Sequence, residues 1–546
     1  MAVAADAYFS AQEGYLSRPP DYDGVSYLVY ARAPLLLLHG HHVRTALHDL
    51  LTGISPLWVS TLTTQQLILG DGTWQAFSAR FWAAALLLTL VYWIVSRRST
   101  RAMAIAAVAV TALLPVVSAG VRSSSWEFFS GQANYYEHWW LNDVRPDFFT
   151  FALLLWSVAA IAEHIRAPRR SAYLVSAVFA AAAVLSKTST TPVALAVWAT
   201  ALGINWLCNR RTSDATRMTL IAAIVVTVLL IPWAVFGGGV QTVVTYLKAI
   251  MAYQSDYALS GGPLTGATYF LVRIPTQLGQ VEAWGVIAGV LVSAIALLRR
   301  RLGPSEMTYG TIAVLLYTVF SLTPSKNPLV GEWFSFSVWI FFLAGATRLA
   351  TARWREPMQR AAPVTLAAVA AYTLVVYGLG ALAIANWPAD ERSSNAQLSA
   401  VTTDVAHELS RQVSAGQCFT YVPGPGWPNS LLYLMMDANG NVPGTTAADV
   451  DPTRTTVADY VGAASRCVAI MAYREDIADV AQVFFAPPVR RPYLRAVATW
   501  VRSPGTGYAL ARTWHFTDLA PSGPHPLGHY QGVSLTVDLF IRSTGP

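Results

Sequence analysis

Charge is scarce in this chain. Of its 546 residues only 12% are Asp, Glu, Lys or Arg, and 54% are hydrophobic, against roughly 25% charged in ordinary globular proteins. A soluble protein of this length would hold three or four solvated domains, and the composition excludes that. Cysteine is scarcer, at three residues, so the chain is no disulfide-dense secreted scaffold. Nothing before residue 78 reads as a signal peptide or a spanning helix. The polar tail after Trp387-Pro388 carries no nucleotide-binding glycine fingerprint and no catalytic triad, and the apolar part shows no internal repeat.

What is present is a polytopic α-helical membrane protein, with a mean hydropathy of +0.41. Apolar segments able to span a bilayer fall at 78–95, 102–119, 148–163, 172–186, 190–207, 218–236, 284–298, 308–322, 333–350 and 362–386, about ten in all. The net charge of +7 is not spread as a nucleic-acid surface. It is gathered between alternate spans, at Arg97, Arg98 and Arg101, at Arg166, Arg169 and Arg170, at Arg210, Arg211 and Arg217, at Arg299 to Arg301, and at Arg353, Arg355 and Arg360. That is the positive-inside pattern of a multi-pass protein. Residues 1–77, 120–147, the Lys187 turn, 237–283, 323–332 and 387–546 are then expected outside the cytoplasm. An external start with no helix ahead of it leads to a further expectation: a natural first helix upstream of Met1. The chain divides into an extracytoplasmic loop (1–77) with interfacial helices and an acidic motif, a transmembrane domain (78–386), and an extracytoplasmic α/β soluble domain (387–546).

The external stretches hold the chemistry. Pro19-Pro20-Asp21-Tyr22-Asp23-Gly24 presents two carboxylates on irregular, turn-like backbone. The loop 120–147 packs Tyr135, Tyr136, Glu137, His138, Trp139, Trp140, Asp143, Arg145 and Asp147 directly before a span. An aromatic belt accounts for its tryptophans but leaves the acids over, while Pro146 and Asp147 suit a helix start. Two lysines sit in hydroxyl-bearing turns, Ser186-Lys187-Thr188-Ser189 and Thr323-Pro324-Ser325-Lys326. Each suits a snorkelling cap or a point charge for a phosphate. The loop 237–283 reads as a re-entrant or interfacial cover. The histidines at 39, 41, 42 and 48 lack metal-ligand spacing to an acid. Cys208 falls at a cytoplasmic edge; Cys418 and Cys467 share the external tail, where a disulfide is permitted.

External acids in the first loop, Arg145-Pro146-Asp147 opening a span, and the two lysine turns together resemble the GT-C superfamily of membrane glycosyltransferases. This superfamily includes the protein O-mannosyltransferases, the lipid A aminoarabinose transferases and the actinobacterial arabinofuranosyltransferases. The Thr323-Pro324-Ser325-Lys326 turn and the soluble tail look most like the arabinofuranosyltransferases. The likeness covers roughly residues 15–350; no single subfamily signature is complete, and the usual first helix is lacking. It implies a bacterial plasma-membrane enzyme that moves a sugar from a polyprenyl-phosphate donor to a glycan, glycolipid or protein acceptor outside the cytoplasm. The catalytic acid maps onto Asp23 or Asp21, with Asp23 as base. Arg145, Lys187 and Lys326 are the candidates for the donor phosphate. Asp147, Asp143, Glu137, His138 and Tyr22 are the candidates for substrate contacts. No cofactor is assigned, a divalent metal stays open, and no nucleic-acid partner is implied. The rival classes are a lipid-linked sugar transporter, which calls for charges buried within spans and internal repeats, and a non-catalytic scaffold.

Overall fold

The computed structural model describes residues 2–12, 23–70, 72–118, 121–122, 132–133, 144–209, 213–252, 263–323, 326, 328–385, 389–414, 417–421, 427–436, 445–446, 456–484, 490–521, 525–526 and 530–543. The expected apolar segments are helical. Among the described residues, seven helices are long and apolar enough to cross a membrane unaided: Trp74–Ser96, Asp147–Arg166, Thr188–Asn209, Asp214–Phe236, Gln280–Leu298, Gly331–Ala350 and Pro363–Ala385. Arg101–Ala112 and Ser171–Ser186 are apolar but shorter, and the segment 308–322 lies within the helix Pro304–Leu322. The segment expected at 102–119 stops at Ala112 because Pro115 lacks an N–H and disfavours helical backbone at the residue before it.

The last two spans belong to one helical run, Pro328–Ala385, which cannot be straight. Ser293 fills the space beside Gly345, and Tyr372 hydrogen-bonds Glu282. A straight helix would hold Gly345 and Tyr372 about 40 Å apart, yet their partners sit eleven residues apart on one helix, about 16 Å. The run therefore doubles back between them, with the basic stretch around Arg353, Arg355 and Arg360 in the connecting part.

Two large cores, and a small third cluster of Phe9, Leu113, Val121, Val376 and Ile384, are present among the described residues. The membrane core is built from alanine, leucine and aromatics, including Trp58, Leu87, Leu90, Phe151, Phe336 and Trp339. The soluble domain has its own, in which Phe419, Ile470, Met471, Val537 and Leu539 meet Val405 and Leu409 of the helix Ala389–Gln412. Its five-stranded sheet runs Thr445–Thr446, Cys418–Tyr421, Ala469–Tyr473, Val533–Arg542, Tyr508–Leu519. The first three strands are parallel and the last two pair antiparallel. Cys418 and Cys467 are joined in a disulfide. This links the start of one central strand to the chain leading into its neighbour.

Among the described residues, contacts at two places join the membrane part to the soluble domain. Its helix Trp427–Met435 packs on the helix Asp23–His39, where Tyr433 is buried beneath the Arg32 guanidinium, 4.7 Å from the ring centre. A two-residue strand, His525–Pro526, pairs antiparallel with Gln132–Ala133. In the helix Asp23–His39, Leu28, Ala31 and Leu35 are fully buried, covered by Pro56–Leu69 and by the soluble domain. Val43–Thr52 does keep an apolar stripe exposed, at Val43, Leu47 and Leu51.

Candidate active site

Asp147 opens the helix Asp147–Arg166, right after Pro146. Proline at a helix start forfeits an N–H that would be unpaired there anyway, and a carboxylate gains from the positive end of the dipole. The helix Ser171–Ser186 ends next to it, and Lys187 leaves that helix in extended conformation before the short turn Thr188–Thr190. The chain's exit at this point lets the Lys187 ammonium donate to Asp147 Oδ1. Arg145 and Arg80 also act electrostatically on Asp147, and all three of Asp147, Arg145 and Arg80 are buried. Three cations thus lie around one carboxylate. Cations already in place are suited to meet a negatively charged group of a substrate. Asp147 Oδ2 is buried and accepts no hydrogen bond among the described residues.

Aromatic side chains enclose the same end of the bundle. Phe151, one turn on from Asp147, stacks on Trp333 at 5.2 Å between centroids. Trp58 is the strut between site elements. Its indole N–H donates to the Val144 carbonyl at 2.6 Å, its ring lies 5.0 Å from Phe149, and on the same helix Thr63 Oγ1 donates to the Ala31 carbonyl at 3.0 Å. The helix Asp23–His39 is thereby held in fixed relation to Val144 and Arg145.

The proposed site residues divide by where they fall. Arg145, Lys187 and Asp147 come together. Lys326 is turned elsewhere: its Nζ donates to the carbonyls of Phe320 at 3.0 Å, Ser321 at 2.6 Å and Thr323 at 2.6 Å, closing the end of the helix Pro304–Leu322. Burial pushes the pKa of its ammonium down. Asp23 is the first residue of the helix Asp23–His39, rather than a member of an irregular loop as its flanking prolines and glycine suggested. The helix dipole and the preference of Asp for helix starts account for the difference. Asp21, Tyr22, Glu137, His138 and Asp143 lie outside the described residues. Arg80 went unnoticed in the sequence, though the signal was there: it opens an apolar run on the same side as Lys187. Among the described residues no group of three His, Cys, Asp or Glu could hold a metal ion.

The opposite end of the bundle carries a different cluster. Arg98 meets Glu163 at 2.5 Å and Glu306 at 3.1 Å and donates to Ser305 Oγ at 2.9 Å, with all four residues buried. Asp147 and Glu163 are sixteen residues apart on one helix, about 24 Å. These acids stand in the terminal turns of their helices, so they clamp helix ends and leave the middles of the spans apolar.

The fold built here is shared with solved structures, among them two of ArnT from Cupriavidus metallidurans. The one bound to undecaprenyl phosphate aligns over 100% of this chain and 99% of its own, with a TM-score of 0.55 at 15% identity. The apo form aligns over 88% of this chain and 94% of its own, with a TM-score of 0.51 at 16% identity. No family model matches the chain, and no curated protein matches it in sequence.

Proposed function

We propose that the protein is a GT-C glycosyltransferase that moves a sugar from a polyprenyl-phosphate donor to an acceptor hydroxyl outside the cytoplasm of a bacterial plasma membrane. The observation that carries this reading is the cluster of buried Arg80 and Arg145 and half-buried Lys187 around Asp147, in a chain with the fold of a protein solved with undecaprenyl phosphate bound. The leaving group is a lipid phosphate whose negative charge grows as the anomeric C–O bond breaks. Cations already in place lower that barrier without reorganising. Lys187, Arg145 and Arg80 hold the phosphate. Lys326 reaches it only by giving up backbone carbonyls.

On the acceptor side, Asp23 takes the proton of the attacking hydroxyl as the new bond to the anomeric carbon forms, with Asp21 as its partner. A single displacement of this kind inverts the anomeric configuration. Asp147, Asp143, Glu137, His138 and Tyr22 frame the sugar and acceptor. The acceptor is a cell-wall glycan, a glycolipid or a protein, and the transferred sugar a pentose or hexose of the arabinofuranosyl or mannosyl kind. The arginine blocks supply the orientation: Arg97, Arg98, Arg166, Arg169 and Arg170 face the cytoplasm, which sets the Asp147 end and the soluble domain outside.

The test is transfer of radiolabelled sugar from polyprenyl-phosphate donors by purified protein, wild type beside Asp23→Asn. Transfer by the wild type with a loss of about a hundredfold or more in the variant is the expected result. Equal transfer by both overturns the role of Asp23, and absence of transfer from every such donor overturns the enzyme reading.

A further inference from the structure

The soluble domain does more than rest on the membrane part. Its contacts reach the two stretches that lead into the site. The helix Trp427–Met435 packs against Asp23–His39, whose first residue is Asp23. The strand His525–Pro526 pairs with Gln132–Ala133, twelve residues ahead of Arg145. At the first contact Tyr433 is 2% exposed, the Arg32 guanidinium lies 4.7 Å from its ring centre, and Leu434 packs on both cores at once. A cation over an aromatic face that is removed from water is a stronger and more directional contact than the same pair on a surface.

We infer that Tyr433, with Arg32 beneath it, is a positioning residue: the soluble domain holds the helix Asp23–His39 in its catalytic placement. The inference rests on the glycosyltransferase reading above. The physical reason is leverage. From the membrane side the helix is held by Ala31 through Thr63 and by the packing of Leu28 and Leu35. The helices Val43–Thr52 and Pro56–Leu69 also pack on it, and from the soluble domain Trp427–Met435 does. The helix Trp427–Met435 stands six residues beyond the strand Cys418–Tyr421, which is joined to the neighbouring strand region through Cys467. Leu431 and Met435 of that helix are buried with Phe419 in the soluble-domain core, so the helix carrying Tyr433 is anchored in that core. Displacing a reacting group by about 1 Å is enough to cost up to a hundredfold in rate.

The experiment uses the full-length protein in detergent or nanodiscs and two readouts, sugar transfer and amide hydrogen exchange. Tyr433→Ala is expected to lower kcat by about ten- to a hundredfold while the KM for the polyprenyl-phosphate donor stays within about twofold, because the phosphate cations sit on other elements. Exchange should rise across residues 23–39 and stay unchanged in the helix Asp147–Arg166, which separates displacement from general unfolding. Tyr433→Phe keeps the ring over Arg32 and should lie nearer wild type than Tyr433→Ala in both readouts. Where Tyr433→Ala does not accumulate as folded protein, Arg32→Met carries the test, since it keeps the stem and removes the charge. Faster exchange with unchanged kcat, or unchanged exchange, overturns the inference. An Asp23→Asn protein as active as wild type overturns the base assignment alone, because neither readout on Tyr433 depends on which residue of the helix does the chemistry.

Discussion

At the scale of single residues, the proposed site is a matter of charge. A lone buried lysine–aspartate pair would be a structural device, and a costly one. Arg145 and Arg80 also act on Asp147, and the proposed reading makes the group a cradle for the donor phosphate. Arg80→Met should therefore raise the donor KM by about ten- to a hundredfold, the equivalent of a lost hydrogen bond to a charged group, while the protein stays folded. Steady-state kinetics against polyprenyl-phosphate sugar reads this directly, and an unchanged KM would assign Arg80 to packing. Lys326 offers the contrast. It stands in a turn of the same composition as Lys187, yet it spends its three N–H bonds on the end of its own helix. The sequence could not tell the two lysines apart, because what distinguishes them is the position of Asp147, forty residues away along the chain from Lys187.

At the scale of elements, the spans and the basic blocks between them were legible because each is a local property of 15 to 25 residues. The reversal inside Pro328–Ala385 and the early stop before Pro115 were not, since they depend on how helices meet. In the soluble domain the strand Tyr508–Leu519 escaped notice because it is a sheet edge whose outward side chains include Arg512 and His515. Its neighbour Val533–Arg542 holds Asp538 almost fully buried beneath Arg474, Thr513 and Arg502. Burial alone would push this carboxyl up. The hydrogen bonds from Arg474, Thr513 and Arg502 outweigh it and hold the pKa below the ordinary carboxylate value. A depressed folded pKa gives stability that is complete above the unfolded value, near 4, and is lost as pH falls through the folded one. Asp538→Asn should therefore cost about 2 kcal/mol at neutral pH, and its difference from wild type should close below about pH 4. Hydrogen exchange of the strand Val533–Arg542 across pH measures both.

At the scale of the whole molecule, charge is segregated lengthwise. Arg98, Glu163 and Glu306 fasten one end of the bundle, and the cation-rich cluster occupies the other, where the soluble domain docks. The fold was readable from composition and basic-block parity, and it is the fold shared with ArnT. The grouping of Arg145, Asp147 and Lys187 was only half readable: their shared side of the membrane followed from parity, their mutual contact did not. Asp147 itself has a consequence for turnover. On the proposed reading it is a resident competitor, an anion seated among the cations that would hold the donor phosphate. A site without it would bind the spent lipid phosphate more tightly and release it more slowly. Asp147→Asn should accordingly lower the KM for the donor, sharpen inhibition by free polyprenyl phosphate, and replace steady turnover with an initial burst followed by a slow phase. The carboxylate then sets the pace at which the carrier lipid returns to the membrane.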